Sequence, residues 1–156
     1  RWSTAGQQSK THGYAAGGTT NGTAVVATTD NFSFASDGSA SDNGDLTVAR
    51  KDPNGQSSAT HGYTSGGDDV GATVLNTVDK FSYANSDGST DVGNLTVARD
   101  LSSGQSSLTY GYTSGGYSGT NSTVIDKFSF ASDANSTDSG DLIASGTRGS
   151  AGQQSN

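Results

Sequence analysis

Between positions 124 and 130 the chain alternates, with Phe128 and Phe130 on one face and Lys127 and Ser129 on the other. That is the period-two signature of a half-buried strand. The same phrase recurs as Phe32-Ser33-Phe34 and Phe81-Ser82-Tyr83. Ahead of each copy lies a glycine-rich stretch: THGYAAGG at 11–18, THGYTSGG at 60–67 and TYGYTSGG at 109–116. Residues 61–67 predict a central strand whose missing side chains let neighbouring backbones approach closely. Asp37-Gly38 and Asp87-Gly88 supply turn chemistry. Leu46-Thr47-Val48 and Leu95-Thr96-Val97 predict a returning strand. No segment shows helical periodicity with caps, so each unit is expected to hold three or four short antiparallel strands and essentially no helix.

The units repeat with a fixed period. Gly6, Gly55 and Gly104 are spaced 49 and 49, as are Tyr14, Tyr63 and Tyr112. Phe32, Phe81 and Phe128 are spaced 49 and 47, the difference falling in the loop after the glycine pair. Such a period signals propellers or solenoids. The expectation is one repeat domain over residues 1–156. Its repeats run over about 1–49, 50–98 and 99–147, and a closing strand occupies 148–156.

Composition alone points the other way. Leu, Ile, Val and Phe make up 22 of 156 residues, a proportion typical of disorder when net charge is high. The net charge of −7 is modest, however, and a disordered Ser/Gly tract has no reason to keep aromatics in register. The pattern outweighs the composition. Eight Lys and Arg, scattered, argue against a nucleic-acid partner. Without cysteine there is neither a disulfide framework nor a thiolate metal site. No apolar run is long enough for membrane insertion, and no signal-type segment is present. Position 1 is Arg rather than Met, so the chain is expected to start after a processing site or to belong to something longer.

A central strand ending in a glycine pair, a variable loop, an aromatic-bearing strand and an Arg before the next unit together resemble the kelch repeat. That resemblance covers nearly the whole chain and extends to the related galactose-oxidase central domain. It implies an all-β fold of propeller blades, one per repeat. The phrase Gly-Asp-Leu-Thr-Val-Ala-Arg at 44–50 is also similar to Gly/Ser/Asp-rich repeats encoded by marine bacteriophages. The family's outer-strand Trp has no counterpart here, the one Trp being Trp2.

Three blades cannot close a ring, since propellers need about 4–8, and an open stack leaves unpaired faces. Residues 1–6 are in phase with 50–55 and 99–104, and GQQSN at 152–156 duplicates GQQSK at 6–10. Two expectations follow, a homodimer closing a six-bladed ring or neighbouring blades of a longer chain, with the dimer preferred.

Repetition singles out the chemical candidates by position. His12 and His61 are equivalent, and Tyr110 replaces them in the third copy. Tyr is no substitute for His as a proton acceptor, so the three are expected to pack between blades with Tyr14, Tyr63 and Tyr112. Asp30, Asp79 and Asp126 recur beside the repeated Phe, and Asp42, Asp91 and Asp138 recur two residues before a Gly. Lacking a calcium-loop spacing, they are expected to cap turns and to pair with Arg1, Arg50, Arg99 and Arg148 between blades. No nucleophile, metallohydrolase or phosphate-binding motif occurs. The expectation is therefore no catalytic residue, no metal and no cofactor. Five Asn-x-Ser/Thr sequons occur, as chance allows in a chain this rich in those residues.

The copies differ in the loop after the glycine pair, at 19–24, 68–72 and 117–121. Repeat scaffolds place ligand-specific variation there, which makes Asn21, Asp68, Asp69, Tyr117 and Asn121 candidate rim contacts. The functional expectation is a non-enzymatic interaction or structural module, extracellular or on a virion such as a phage fibre. A surface glycan or protein receptor would be its partner. The alternative is a multivalent lectin with glycan pockets between blades.

Overall fold

The computed structural model describes residues 1–21 and 23–144. The chain is all-β, with no helix among the described residues. Its first sheet comprises β1 (Ala5–Gln8), β2 (His12–Ala16), β5 (Thr28–Ser33) and β6 (Ser41–Asp45), in that order across the sheet. Between β2 and β5 runs a two-stranded hairpin, β3 (Thr19–Thr20) with β4 (Ala24–Val25). The second sheet is β7 (Asn54–Ser57), β8 (His61–Ser65), β9 (Thr77–Ser82) and β10 (Ser89–Asn94). The third is β11 (Ser103–Ser106), β12 (Tyr110–Ser114), β13 (Val124–Ser129) and β14 (Thr137–Asp141). Every pairing within a sheet is antiparallel, so each repeat is a four-stranded meander.

The glycine-rich phrase forms an interior strand in each sheet, and its glycines have identifiable causes. Gly62 pairs with Phe81 across β8 and β9, and the phenylalanine ring lies over the glycine, where a Cβ would collide with it. Gly111 and Phe128 repeat the arrangement. The glycine pair that follows turns the chain through left-handed conformations, φ 64° and 94° at Gly66 and Gly67, which residues with a Cβ resist. Gly67 N donates to the Arg99 carbonyl at 3.0 Å, just as Gly18 N donates to that of Arg50 at 2.8 Å.

The returning strand lies earlier than the Leu-Thr-Val phrase suggests. It is β6 and β10, ending at Asp45 and Asn94, and Leu46 and Leu95 follow it as buried plugs. The Asp-x-Gly segments decide this. Asp42 Oδ1 accepts from Gly44 N at 2.8 Å, and Asp91 and Asp138 do the same for Gly93 and Gly140 at 3.0 and 2.9 Å. Each motif builds a bulge into the outermost strand, the local kink that carries the chain off the sheet. Of the two Asp-Gly turns, Gly88 has a positive φ of 83°.

Neighbouring sheets meet through aromatic rings. Tyr14 of the first sheet stacks on Tyr83 of the second, centroids 4.7 Å apart, and tilts against Phe81 at 5.3 Å. Tyr63 of the second sheet repeats this against Phe130 (4.8 Å) and Phe128 (5.4 Å) of the third. Such pairs add about 0.5–1.5 kcal/mol each beyond area burial. Closest of all are the first strands. A Cβ on Gly55 would strike the Gly6 carbonyl, and one on Gly104 would strike that of Gly55. Backbone bonds join the segments leading into them, Asp52 N to Ser3 O at 3.0 Å and Leu101 N to Asp52 O at 3.2 Å.

Scarce apolar residues are offset by buried polar groups that find partners across these junctions. Gln7 Nε2 donates to the Tyr63 carbonyl and Thr64 Oγ1 at 3.0 and 2.8 Å. Gln56 Nε2 donates to the Tyr112 carbonyl and Thr113 Oγ1, both at 3.0 Å. The bonded amide nitrogens fix the register between sheets, while Gln7 Oε1 is buried with no partner among the described residues.

Candidate functional site

Two sets of repeated residues carry chemistry, one inside the junctions and one in the variable loops. Inside, the Arg50 and Arg99 side chains are fully buried, as are their partners Asp79 and Asp126. Arg50 Nη2 lies 2.9 Å from Asp79 Oδ2, and its Nη1 donates to the Gly66 and Thr77 carbonyls at 3.3 and 3.2 Å. Asp79 also accepts Thr47 N and Oγ1 from the preceding repeat, at 2.9 and 2.7 Å. Thus one carboxylate ties the end of one sheet to the start of the next. Asp126 takes Arg99, Thr96 N and Thr96 Oγ1 in the same way. Burial pushes both guanidinium pKa values below their ordinary value, while the facing aspartates pull them back up. Arg1 pairs with Asp30 in the first repeat, where both groups are partly exposed. Arg148 lies outside the described residues.

Among the aromatic candidates, Tyr14 and Tyr63 are buried between sheets, and burial pushes the Tyr63 hydroxyl up to about 12. Tyr112 sits on the third sheet with no fourth sheet beyond it among the described residues. His12 and His61 bond through Nδ1 to the neighbouring Thr11 and Thr60 hydroxyls, at 2.9 and 2.8 Å. Burial, then Lys80, push the His61 pKa below its ordinary value. Tyr110 is exposed, with the Lys127 ammonium 5.1 Å from its ring centre.

The variable loops spring from equivalent points. Thr19, Asp68 and Tyr117 each bridge the segment entering the repeat, at Trp2, Lys51 and Asp100 respectively. Asp68 is buried, with Lys51 Nζ 2.6 Å from its carboxylate, which makes it a foundation of the loop rather than a surface contact. Asp69 Oδ1 accepts Gly71 N and Thr73 N at 2.8 and 2.9 Å and closes the second loop. Tyr117 and Asn121 bridge each other across the third loop, and exposed Asn21 (φ 51°) turns the tip of the first. The Asp68 hydrogen bond, joined by Asp52, 3.8 Å from the Lys51 ammonium, and by Asp100, holds the Lys51 pKa above its ordinary value. Burial first, then Asp68 and Asp52, raise the Asp100 carboxyl.

Sequence reasoning missed four participants, two glutamines and two threonines. Gln7 and Gln56 bond across junctions, and Thr47 and Thr96 complete the Asp sites. Their signal was present: Gln follows the first-strand glycine of each repeat, at 7, 56 and 105, and Thr follows Leu at 47 and 96.

No family model and no curated protein matches the chain. Among solved structures it is similar to one titled "Structure of YjhT", with a TM-score of 0.75 over 91% of this chain and 52% of that one. The chain thus spans about half the length of that protein. At 8% identity the likeness concerns the fold alone.

Proposed function

We propose that the three four-stranded sheets are blades of a kelch-like β-propeller. This propeller is a non-enzymatic interaction or structural module, displayed outside a cell or on a virion. One observation carries the reading. The charged residues that repetition singles out, Arg50, Asp79, Arg99 and Asp126, are buried and bonded to one another and to the threonines of the preceding repeat. Groups held so tightly cement sheets together and do not turn over a substrate. The variation between copies sits in loops raised on a common base, the arrangement of a binding rim on a constant scaffold. Tyr117, a stiff amphipathic side chain, is the contact on which the rim most depends. Display on a virion or cell exterior rests on the resemblance to phage-encoded repeats.

Two measurements test the reading. A panel of hydrolase and oxidase substrates should show no turnover above buffer. Turnover that disappears on substituting a rim residue would overturn the proposal. The labelled chain should bind intact cells or isolated envelopes, and Tyr117→Ala should weaken that binding about tenfold, as loss of an aromatic anchor does. Binding instead to a free sugar on a glycan array, abolished by Tyr117→Ala, would make the molecule a lectin.

A further inference from the structure

Except at two positions, the end faces of the stack carry the two halves of the junction found twice inside it. Ile143 stands where Thr47 and Thr96 bind the aspartates, and Ala15 stands where Thr64 and Thr113 meet the glutamines. The face that a sheet turns toward the preceding repeat is here its leading face, and the opposite one its trailing face. On the leading side, Gly55 and Gly104 are glycines because the previous repeat's backbone presses on them. Gly6 occupies the same register, yet a Cβ there would meet nothing within 4 Å among the described residues, and its φ is not in the left-handed region. On the trailing side, a Cβ on Gly44 would come within 2.6 Å of Gly88 in the next repeat, and one on Gly93 would strike Ala134. A Cβ on their counterpart Gly140 would meet nothing within 4 Å among the described residues.

Side chains repeat the asymmetry. Phe81 and Phe128 are buried under Tyr14 and Tyr63, whereas Phe32 and Phe34 of the first sheet are 44% and 54% exposed. Tyr112, the ring that would cover them, stands on the opposite end face. Charge matches as well. Lys80 on the trailing face of the second sheet bridges Asp133 of the third at 2.6 Å. In that register the third sheet carries Lys127 and the first sheet carries Asp37, one at each end of the stack.

Resting on the blade reading above, we propose that two copies of this chain associate head to tail. The trailing face of one copy's third sheet covers the leading face of the other's first sheet, twice over, and closes a ring. The contacts are those of the internal junctions: Tyr112 over Phe32 and Phe34, Lys127 to Asp37, and the Gly104 backbone against Gly6. Six is the only multiple of three within the 4–8 blades that close a propeller, and a heterologous contact that closes gives a ring rather than a filament.

Sedimentation of the full chain over a dilution series should give a particle of twice the 15.6 kDa chain mass. Gly6→Val should weaken the dimer at least about tenfold while leaving the circular dichroism spectrum and a cooperative melt intact. Lys127→Asp or Asp37→Lys alone should weaken it about twofold to tenfold, and the two together in one chain should restore it. The charge exchange decides the matter should Gly6→Val fail to fold. A monomer, an open-ended series of larger species, or a dimer indifferent to both the glycine change and the charge exchange would overturn the proposal. A folded monomer leaves the non-enzymatic reading standing, whereas turnover by an intact dimer sinks that reading and leaves the pairing untouched.

Discussion

Phe81 and Phe32 sit at the same point of successive repeats, each with its ring over a glycine of the neighbouring strand, yet one is 2% exposed and the other 44%. The contrast between a closed junction and an open face recurs at the arginine–aspartate pairs. Asp79 is fully buried with Arg50, while Asp30 meets Arg1 in partial contact with solvent. Identical local chemistry therefore has different energetic weight according to whether another sheet covers it. The repeat supplies the parts, and the neighbour makes them count.

Substitutions can break this comparison, beginning with the largest effect. Gly55→Val should abolish cooperative unfolding, because the colliding atom is the Gly6 carbonyl and backbone has nowhere to go. A melt followed by circular dichroism checks it, with Gly6→Val as the tolerated counterpart. Asp79→Ala should cost about 3–5 kcal/mol, since it strands a buried guanidinium. Asp30→Ala should cost no more than about 1 kcal/mol, the worth of an exposed pair. Urea midpoints of the two variants measure the gap. Phe81→Ala should lose about 3–5 kcal/mol. Phe32→Ala should lose far less when both are compared in a Gly6→Val background, where the leading face stays open.

Finer changes sharpen the picture. Gln56→Ala leaves the Tyr112 carbonyl and Thr113 hydroxyl without their amide donor, a loss of about 1–3 kcal/mol, measurable by urea titration. The smallest expected effect concerns Asp100, whose carboxyl is raised by burial and by its acidic neighbours Asp68 and Asp52. An acid raised on folding destabilises the fold when ionised. Its penalty is absent below the ordinary value of 3.8 and grows as pH rises through the folded value. Asp100→Asn should therefore gain stability at neutral pH, by less than about 1 kcal/mol. The gain should fade on acidification, which melts at pH 7 and pH 3 would reveal.

Much of the fold was legible because repetition acts as an internal comparison. The alternation at Phe128 and Phe130 marks β13, and the glycine pair marks the turn after each interior strand. The outer strand was misplaced for a physical reason. Leu46 looks like a strand residue because it is buried, but its burial comes from packing against Ala5 and Ala16 of its own sheet, and burial alone does not distinguish strand from plug. The aspartates were legible as recurring, and Asp42, Asp91 and Asp138 as turn formers, since an Asp two residues before a Gly is a local motif. The pairing of Asp79 with Arg50 was legible as well, since Asp and Arg recur together from copy to copy; that Thr47 joins them from the preceding repeat was not, because it lies 32 residues from Asp79. Asp68 and Asp69 looked like rim contacts from their position in a variable loop. Their hydrogen bonds, invisible in the sequence, assign them to building that loop.

The amino-acid order by itself determined the interior strands, the period and the turn after each glycine pair, since backbone sterics and side-chain alternation act within a few residues. Only the tertiary structure decided which carboxylates are buried, which glycines are crowded and which aromatics are left uncovered. Burial depends on what the next repeat brings alongside, and for the two end faces the chain brings nothing among its described residues.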